Sequence, residues 1–152
     1  MKKIMVELTK EITFEAAHYL HNPSWDRAKN IDVFKKCSGF RPDDMKASGY
    51  PHGHSYRLRV TVKGPIHPET GFVMDFKILK EILKRAVFDS FDHRFINQEV
   101  EPFKSHPTFQ TTVENLLVVL WKRLEPVLKK ERVALHELTL WETASNFATL
   151  RK

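Results

Sequence analysis

Residues His52–Lys63 alternate without a break. His52, His54, Tyr56, Leu58, Val60 and Val62 fall on one side, and Gly53, Ser55, Arg57, Arg59, Thr61 and Lys63 on the other. A period of two is the side-chain geometry of a β-strand. One apolar and one polar face place that strand in an antiparallel sheet with a single side on a core. The N-terminal segment repeats the pattern: Ile4, Val6, Leu8, Ile12, Phe14, Ala16 and His18 share a face, with Lys10 the one exception. Two long strands of this kind commit the chain to a half-covered sheet.

Helices supply the cover. Asp75 is a predicted N-cap, and Phe76, Leu79, Leu83, Ala86 and Val87 follow at helical spacing. A second helix starts at "TTVENLLVVLWKRLEPVL", where Thr111 and Glu114 have capping-box spacing and Pro126 is expected to end or bend it. "FVM" (72–74) reads as a short strand, and "VALHELTLWETASNFATLRK" as one or two more. The order ββααββ predicts an α+β domain with helices on one face of an antiparallel sheet. Residues 21–51 are a long excursion with a short helix near "DRAKNIDVF". One domain over 1–152 is expected, with an inserted loop at about 38–51.

Composition narrows the class. Apolar residues are 41% and charged residues 29%, and no apolar run reaches the roughly 20 residues of a membrane helix. No export signal is visible, so a cytoplasmic location is expected and no membrane partner. Net charge is +6, but the lysine pairs at 2–3, 35–36 and 129–130 are scattered, so a nucleic-acid partner is not expected. Cys37 is the single cysteine, which excludes an intrachain disulfide.

The histidines carry the chemistry. On a strand, residues i and i+2 point the same way, so His52 and His54 project together. His18 ends the apolar face of the other strand. Three neutral imidazoles converging in an apolar setting are satisfied together by a borderline cation. Three nitrogen ligands leave a fourth position open, the pattern of catalytic zinc. The alternative is three separately hydrogen-bonded histidines. A cupin-type barrel also carries His-x-His, but no carboxylate follows His54 here and the two helices argue against an all-β barrel. Glu142 shares a face with Leu138 and Leu140 and points inward, either toward ligand donors or toward Arg59 or Arg151. Asp92 beside His93 is either an orienter–shuttle pair or a helix cap next to a surface histidine.

With these residues in hand, the chain resembles the 6-pyruvoyl-tetrahydropterin synthase / 6-carboxy-tetrahydropterin synthase family. The likeness rests on "FEAAH" (14–18), "KKC" (35–37), "HGHSY" (52–56), "TGFVMDF" (70–76), "FDHRFIN" (91–97), "TTVEN" (111–115) and "WET" (141–143), in that order. The resemblance implies the tunnelling fold (T-fold), with protomers joined sheet to sheet into trimer barrels and two trimers stacked as a homohexamer with sites at subunit interfaces. It implies zinc on His18, His52 and His54, a proton-transfer set of Cys37, Asp92 and His93, and a pterin pocket with Glu142 as ring anchor and Thr112 in its lining. The implied substrate is 7,8-dihydroneopterin triphosphate and the enzyme type a lyase. The product expected first is 6-carboxy-tetrahydropterin, as in queuosine biosynthesis. The alternatives are 6-pyruvoyl-tetrahydropterin, a 6-hydroxymethyl pterin from a retro-aldol cut, or a non-catalytic zinc- and pterin-binding homologue. One departure stands out: fourteen residues separate Cys37 from His52, more than the family pattern has. Cys37 is kept as the base, with Asp43 or Asp44 as the alternative.

Overall fold

The computed structural model describes residues 4–41 and 49–152. In chain order the elements are β1 (Met5–His18), α1 (Arg27–Phe34), β2 (His52–Pro65), α2 (Phe76–Leu83), α3 (Asp89–Phe91), β3 (Arg94–Phe95), α4 (Ile96–Glu99), α5 (Val113–Lys130), β4 (Ala134–Trp141) and β5 (Phe147–Arg151). A 3-10 turn (Lys35–Ser38) follows α1, and a π-helical turn (Lys84–Phe88) joins α2 to α3.

The strands form one sheet in the order β3-β1-β2-β4-β5. β1, β2, β4 and β5 pair antiparallel, and β3 adds a parallel pair at Ala16 and Ala17. β5 is one edge. The other edge is β1, covered by β3 only at those two residues. The expected α+β class is the observed one.

The alternation sorts the sheet as the sequence implies. Phe14, Tyr56, Leu58, Val60, Val62, Leu138 and Leu140 are buried, together with Leu79, Leu83 and Val87 from the α2 rod and Leu116, Leu120, Leu124 and Leu128 from α5. The other face carries polar cross-strand pairs: Glu7–Lys63 at 3.0 Å, Thr9–Thr61 at 2.9 Å and Glu11–Arg59 at 2.8 Å.

Four local expectations change. "FVM" is not a strand; the His67 N–H donates to the Phe72 carbonyl and folds that segment into a turn. Asp75 caps α2 as read, accepting from the Lys77 N–H, but Phe76 is 50% exposed and lies outside the core. The N-cap of α5 is Thr112, which accepts from the Asn115 N–H, not Thr111. Pro126 lies inside α5 and does not end it. A proline there costs about 3 kcal/mol, while each large apolar side chain buried along that helix returns about 1.5–3 kcal/mol, and α5 buries seven such residues on both sides of the proline.

Candidate active site

The long β1–β2 ladder ends on the histidines. His18 is the last residue of β1, directly opposite His52, the first of β2, and His54 faces Ala16. The three rings meet edge to face, with centroids 4.6 Å (His18–His52), 5.1 Å (His18–His54) and 4.9 Å (His52–His54) apart. One nitrogen from each lies within 4.8 Å of the others, a set that can hold a metal ion.

His18 is fixed from behind. Its Nδ1 lies 2.9 Å from the Thr111 carbonyl, which can only accept, so Nδ1 carries the proton and Nε2 the lone pair. A backbone carbonyl holding the far nitrogen is the usual support of a metal-bound imidazole. The Thr111 hydroxyl donates to the Tyr19 carbonyl at 3.1 Å and ties the start of α5 to the end of β1. Nε2 of His18 and of His54 are buried with no hydrogen-bond partner among the described residues. Buried orphan nitrogens are costly, and a cation among them removes the cost.

Burial, opposed by the bond to the Thr111 carbonyl and helped by the charges of His52 and His54, lowers the His18 pKa to about 4. Burial also lowers His52, with His54 adding and Glu142 opposing, and it lowers His54. All three are thereby held in the neutral form that binds metal.

Glu142 follows β4 immediately. The turn after it holds it in place: the Glu142 N–H donates to the Asn146 carbonyl, and the Asn146 N–H to the Thr143 hydroxyl. The arginine partners considered from sequence are taken elsewhere, Arg59 by Glu11 and Arg151 by Glu137. Glu142 instead faces the histidines, with Oε1 3.3 Å from His18 Nε2 and 3.7 Å from His54 Nε2. Burial pushes its carboxyl up; the charge of His52 opposes this and that of Glu114 adds to it.

Cys37 stays beside this cluster despite the long spacing to His52. Its carbonyl accepts from the Leu20 N–H at 2.8 Å, and the Tyr50 N–H donates to the Gly39 carbonyl at 3.0 Å. These bonds pinch the insertion shut at its base. Glycines permit the pinch: Gly39 has φ +67°, and a Cβ there would sit 2.0 Å from the Tyr50 carbonyl oxygen, while one on Gly49 would sit 1.6 Å from that of Ser38. A cavity of about 270 Å³ is lined by His18, Cys37, Thr112, Glu114, Glu142 and Asn146. Burial, then the charge of Glu142, push the Cys37 thiol up. Asp43 and Asp44, the alternative bases, lie outside the described residues.

Asp92 and His93 are elsewhere within the protomer. Asp92 Oδ2 lies 2.7 Å from His93 Nδ1, and Oδ1 accepts from the Glu15 N–H at 2.9 Å. The Glu15 N–H, then the bond to His93, hold the Asp92 carboxyl below its usual range. The His93 ring is 79% exposed and borders a second cavity, of about 490 Å³, with Glu15, Gly53 and Ser55 of the polar sheet face. The pair therefore sits at the β1 edge of the sheet, bonded to the Glu15 backbone, and His93 and Cys37 line different cavities.

Two residues of the cluster escaped the sequence reading as site groups. Thr111 had been assigned to the cap. Tyr56 read as core, and it is: fully buried, stacked on Phe14 at 5.1 Å and edge-on to His54 at 5.6 Å. Its hydroxyl nevertheless has no partner among the described residues, and burial with the charges of Glu142 and Cys37 keeps it protonated.

A half-covered antiparallel sheet, three histidines on two strand ends that can hold a metal, and a thiol and a carboxylate lining one cavity are the parts a metal-assisted acid–base enzyme needs. The family model described as 6-pyruvoyl tetrahydropterin synthase matches residues 7–152, and the chain belongs to that family. It is 36% identical to the 6-pyruvoyl tetrahydrobiopterin synthase of Drosophila melanogaster, over 95% of this chain and 78% of that one. It is 26% identical to the 6-carboxy-5,6,7,8-tetrahydropterin synthase of Haemophilus influenzae, over 94% and 96%. The Caenorhabditis elegans 6-pyruvoyl tetrahydropterin synthase structure superposes with a TM-score of 0.84 at 29% identity, covering 100% of this chain and 99% of that one. The tunnelling fold expected from the sequence is thus the fold of the protomer.

Proposed function

We propose that the protein is a zinc-dependent 6-pyruvoyl-tetrahydropterin synthase that eliminates triphosphate from 7,8-dihydroneopterin triphosphate. The observation that carries this reading is the cluster of three histidine nitrogens, one of which, that of His18, shares a cavity with Cys37 and Glu142. Several relatives named 6-pyruvoyl tetrahydrobiopterin synthase, from fly to human, support this branch. They reverse the order reached from sequence, which put the 6-carboxy product and the queuosine route first. That product remains the second reading, favoured by the likeness to the Haemophilus influenzae enzyme.

Each side chain has a role in this reading. The Glu142 carboxylate accepts from the pterin N3–H and 2-amino group, two parallel donors. Thr112 lines the ring pocket. Cys37 takes a proton from the substrate side chain. Zinc on His18, His52 and His54 supplies Lewis-acid polarisation of the substrate's hydroxyl oxygens and a positive charge that opposes the upward push on the Cys37 thiol. Asp92 fixes the His93 tautomer, leaving the exposed imidazole to exchange protons. His93 and Cys37 line different cavities of the protomer, and His93 stands at the β1 edge, so in this reading it acts on the site of a neighbouring copy. The open edges at β1 and β5 are the surfaces through which copies would join, in a homohexamer of two trimers.

The test is product analysis. The zinc-loaded protein is incubated with 7,8-dihydroneopterin triphosphate, and the pterin identified by mass. Release of triphosphate with a 6-pyruvoyl product and no acetaldehyde is expected. A 6-carboxy product with acetaldehyde moves the chain to the second reading. Cys37→Ala should lower turnover about 100-fold or more while pterin binding persists. Zinc and pterin bound without turnover in the parent protein would leave only a binding role.

A further inference from the structure

Glu142 comes closer to the histidines than a pterin anchor needs to. Its Oε1 is 3.3 Å from Nε2 of His18 and 3.7 Å from Nε2 of His54. Neither contact is a hydrogen bond, and both nitrogens are buried without a partner among the described residues. Since Nδ1 of His18 donates to the Thr111 carbonyl, its Nε2 presents a lone pair. A lone pair facing a carboxylate oxygen is repulsive unless positive charge lies between them.

The distances suit such a charge. Zinc binds imidazole nitrogen at about 2.0–2.1 Å and carboxylate oxygen at about 2.0–2.2 Å in tetrahedral sites, which sets neighbouring donor atoms roughly 3.3–3.5 Å apart. The Glu142 oxygen stands at that separation from His18 Nε2 and a few tenths of an ångström beyond it from His54 Nε2. It is also attached differently. The histidines sit on paired strands, whereas Glu142 stands on the turn after β4, tied through its backbone to Asn146. Its side chain can leave without disturbing the ladder.

We propose that Glu142 is the fourth protein group that would hold the resting metal centre, beside His18, His52 and His54, and that the same carboxylate would take the pterin ring when substrate is bound. This rests on the metal-dependent reading above. Three neutral imidazoles leave a dication uncompensated in a half-buried site. One carboxylate would remove half of that charge.

The experiment uses metal-free full-length protein, titrated with zinc(II) against a chromophoric chelator and separately with cobalt(II) while visible bands are recorded. Glu142→Gln is compared with Glu125→Gln, which removes a charge at an exposed residue of α5 that lines a different cavity. Glutamine is isosteric and position 142 is on a turn, so folding is not at stake. Zinc affinity in Glu142→Gln should fall at least about tenfold, the loss seen for groups that merely support a ligand. Its cobalt bands should change, and Glu125→Gln should match the parent in both. If Glu142→Gln binds zinc and cobalt as the parent does but loses pterin binding, the ligand role is overturned and the anchor role stands. If the parent takes up no zinc, the ligand role and the metal-dependent reading fall together.

Discussion

Acidification of the metal-free protein should destabilise it through one residue above the others. His18 is 1% exposed, and burial lowers its pKa from 6.5 to about 4. The unfolded chain therefore takes up the proton first. Stability is full above about pH 6.5 and falls as the pH drops toward about 4, where the folded form also protonates. The size of the shift corresponds to ~3 kcal/mol. At a urea dependence of about 1–3 kcal/mol per molar, that moves the unfolding midpoint by about 1–3 M. The assay is urea unfolding in chelator at fixed protein concentration, at several pH values from 7 to 4. His18→Gln lacks the titrating ring, whereas His52 and His54 keep titrating in both proteins, so the difference between the two pH profiles isolates residue 18. The variant's loss of stability across this window should be smaller by ~3 kcal/mol. Parallel profiles would refute the claim that a buried neutral imidazole stands at this position.

The adjacent threonines should each give a modest loss. Thr112→Ala removes a helix cap and should cost about 1 kcal/mol, and Thr111→Val removes one of two donors to the Tyr19 carbonyl, the Asn97 side-chain amide keeping the other, and should cost about 0.5–1.5 kcal/mol, both read by urea denaturation. Leu120→Ala, at a fully buried position of α5, should cost about 2–5 kcal/mol with little change in zinc affinity measured by chelator competition.

The parts legible in the sequence are those with a repeating physical signal. The period-two faces of β1 and β2 gave the sheet, its buried side and the joint projection of His18, His52 and His54. Asp75 was legible as a cap because its side chain has no competing partner among the hydrogen bonds of the described residues. Thr111 was misread because a threonine ahead of a helix has the same local preference at either of two positions. The choice fell to Tyr19 and His18, more than ninety residues away. β3 spans two residues, too short to show a period. The placement of Cys37 depends on backbone approach between Gly39 and Gly49, which leaves no pattern in the intervening residues. That Asp92 and His93 stand at the β1 edge, in a different cavity from the thiol, follows from the chain path through α3 and β3, which the local sequence does not encode.

The ladder from Met5–Pro65 to His18–His52 also makes the histidine cluster a gauge of strand alignment. A slip of one residue between β1 and β2 would turn one strand's histidines to the polar face, and no cation could bridge what remained. Any ion captured at the far end would therefore select, during assembly of the sheet, those chains whose two longest strands have already come into step.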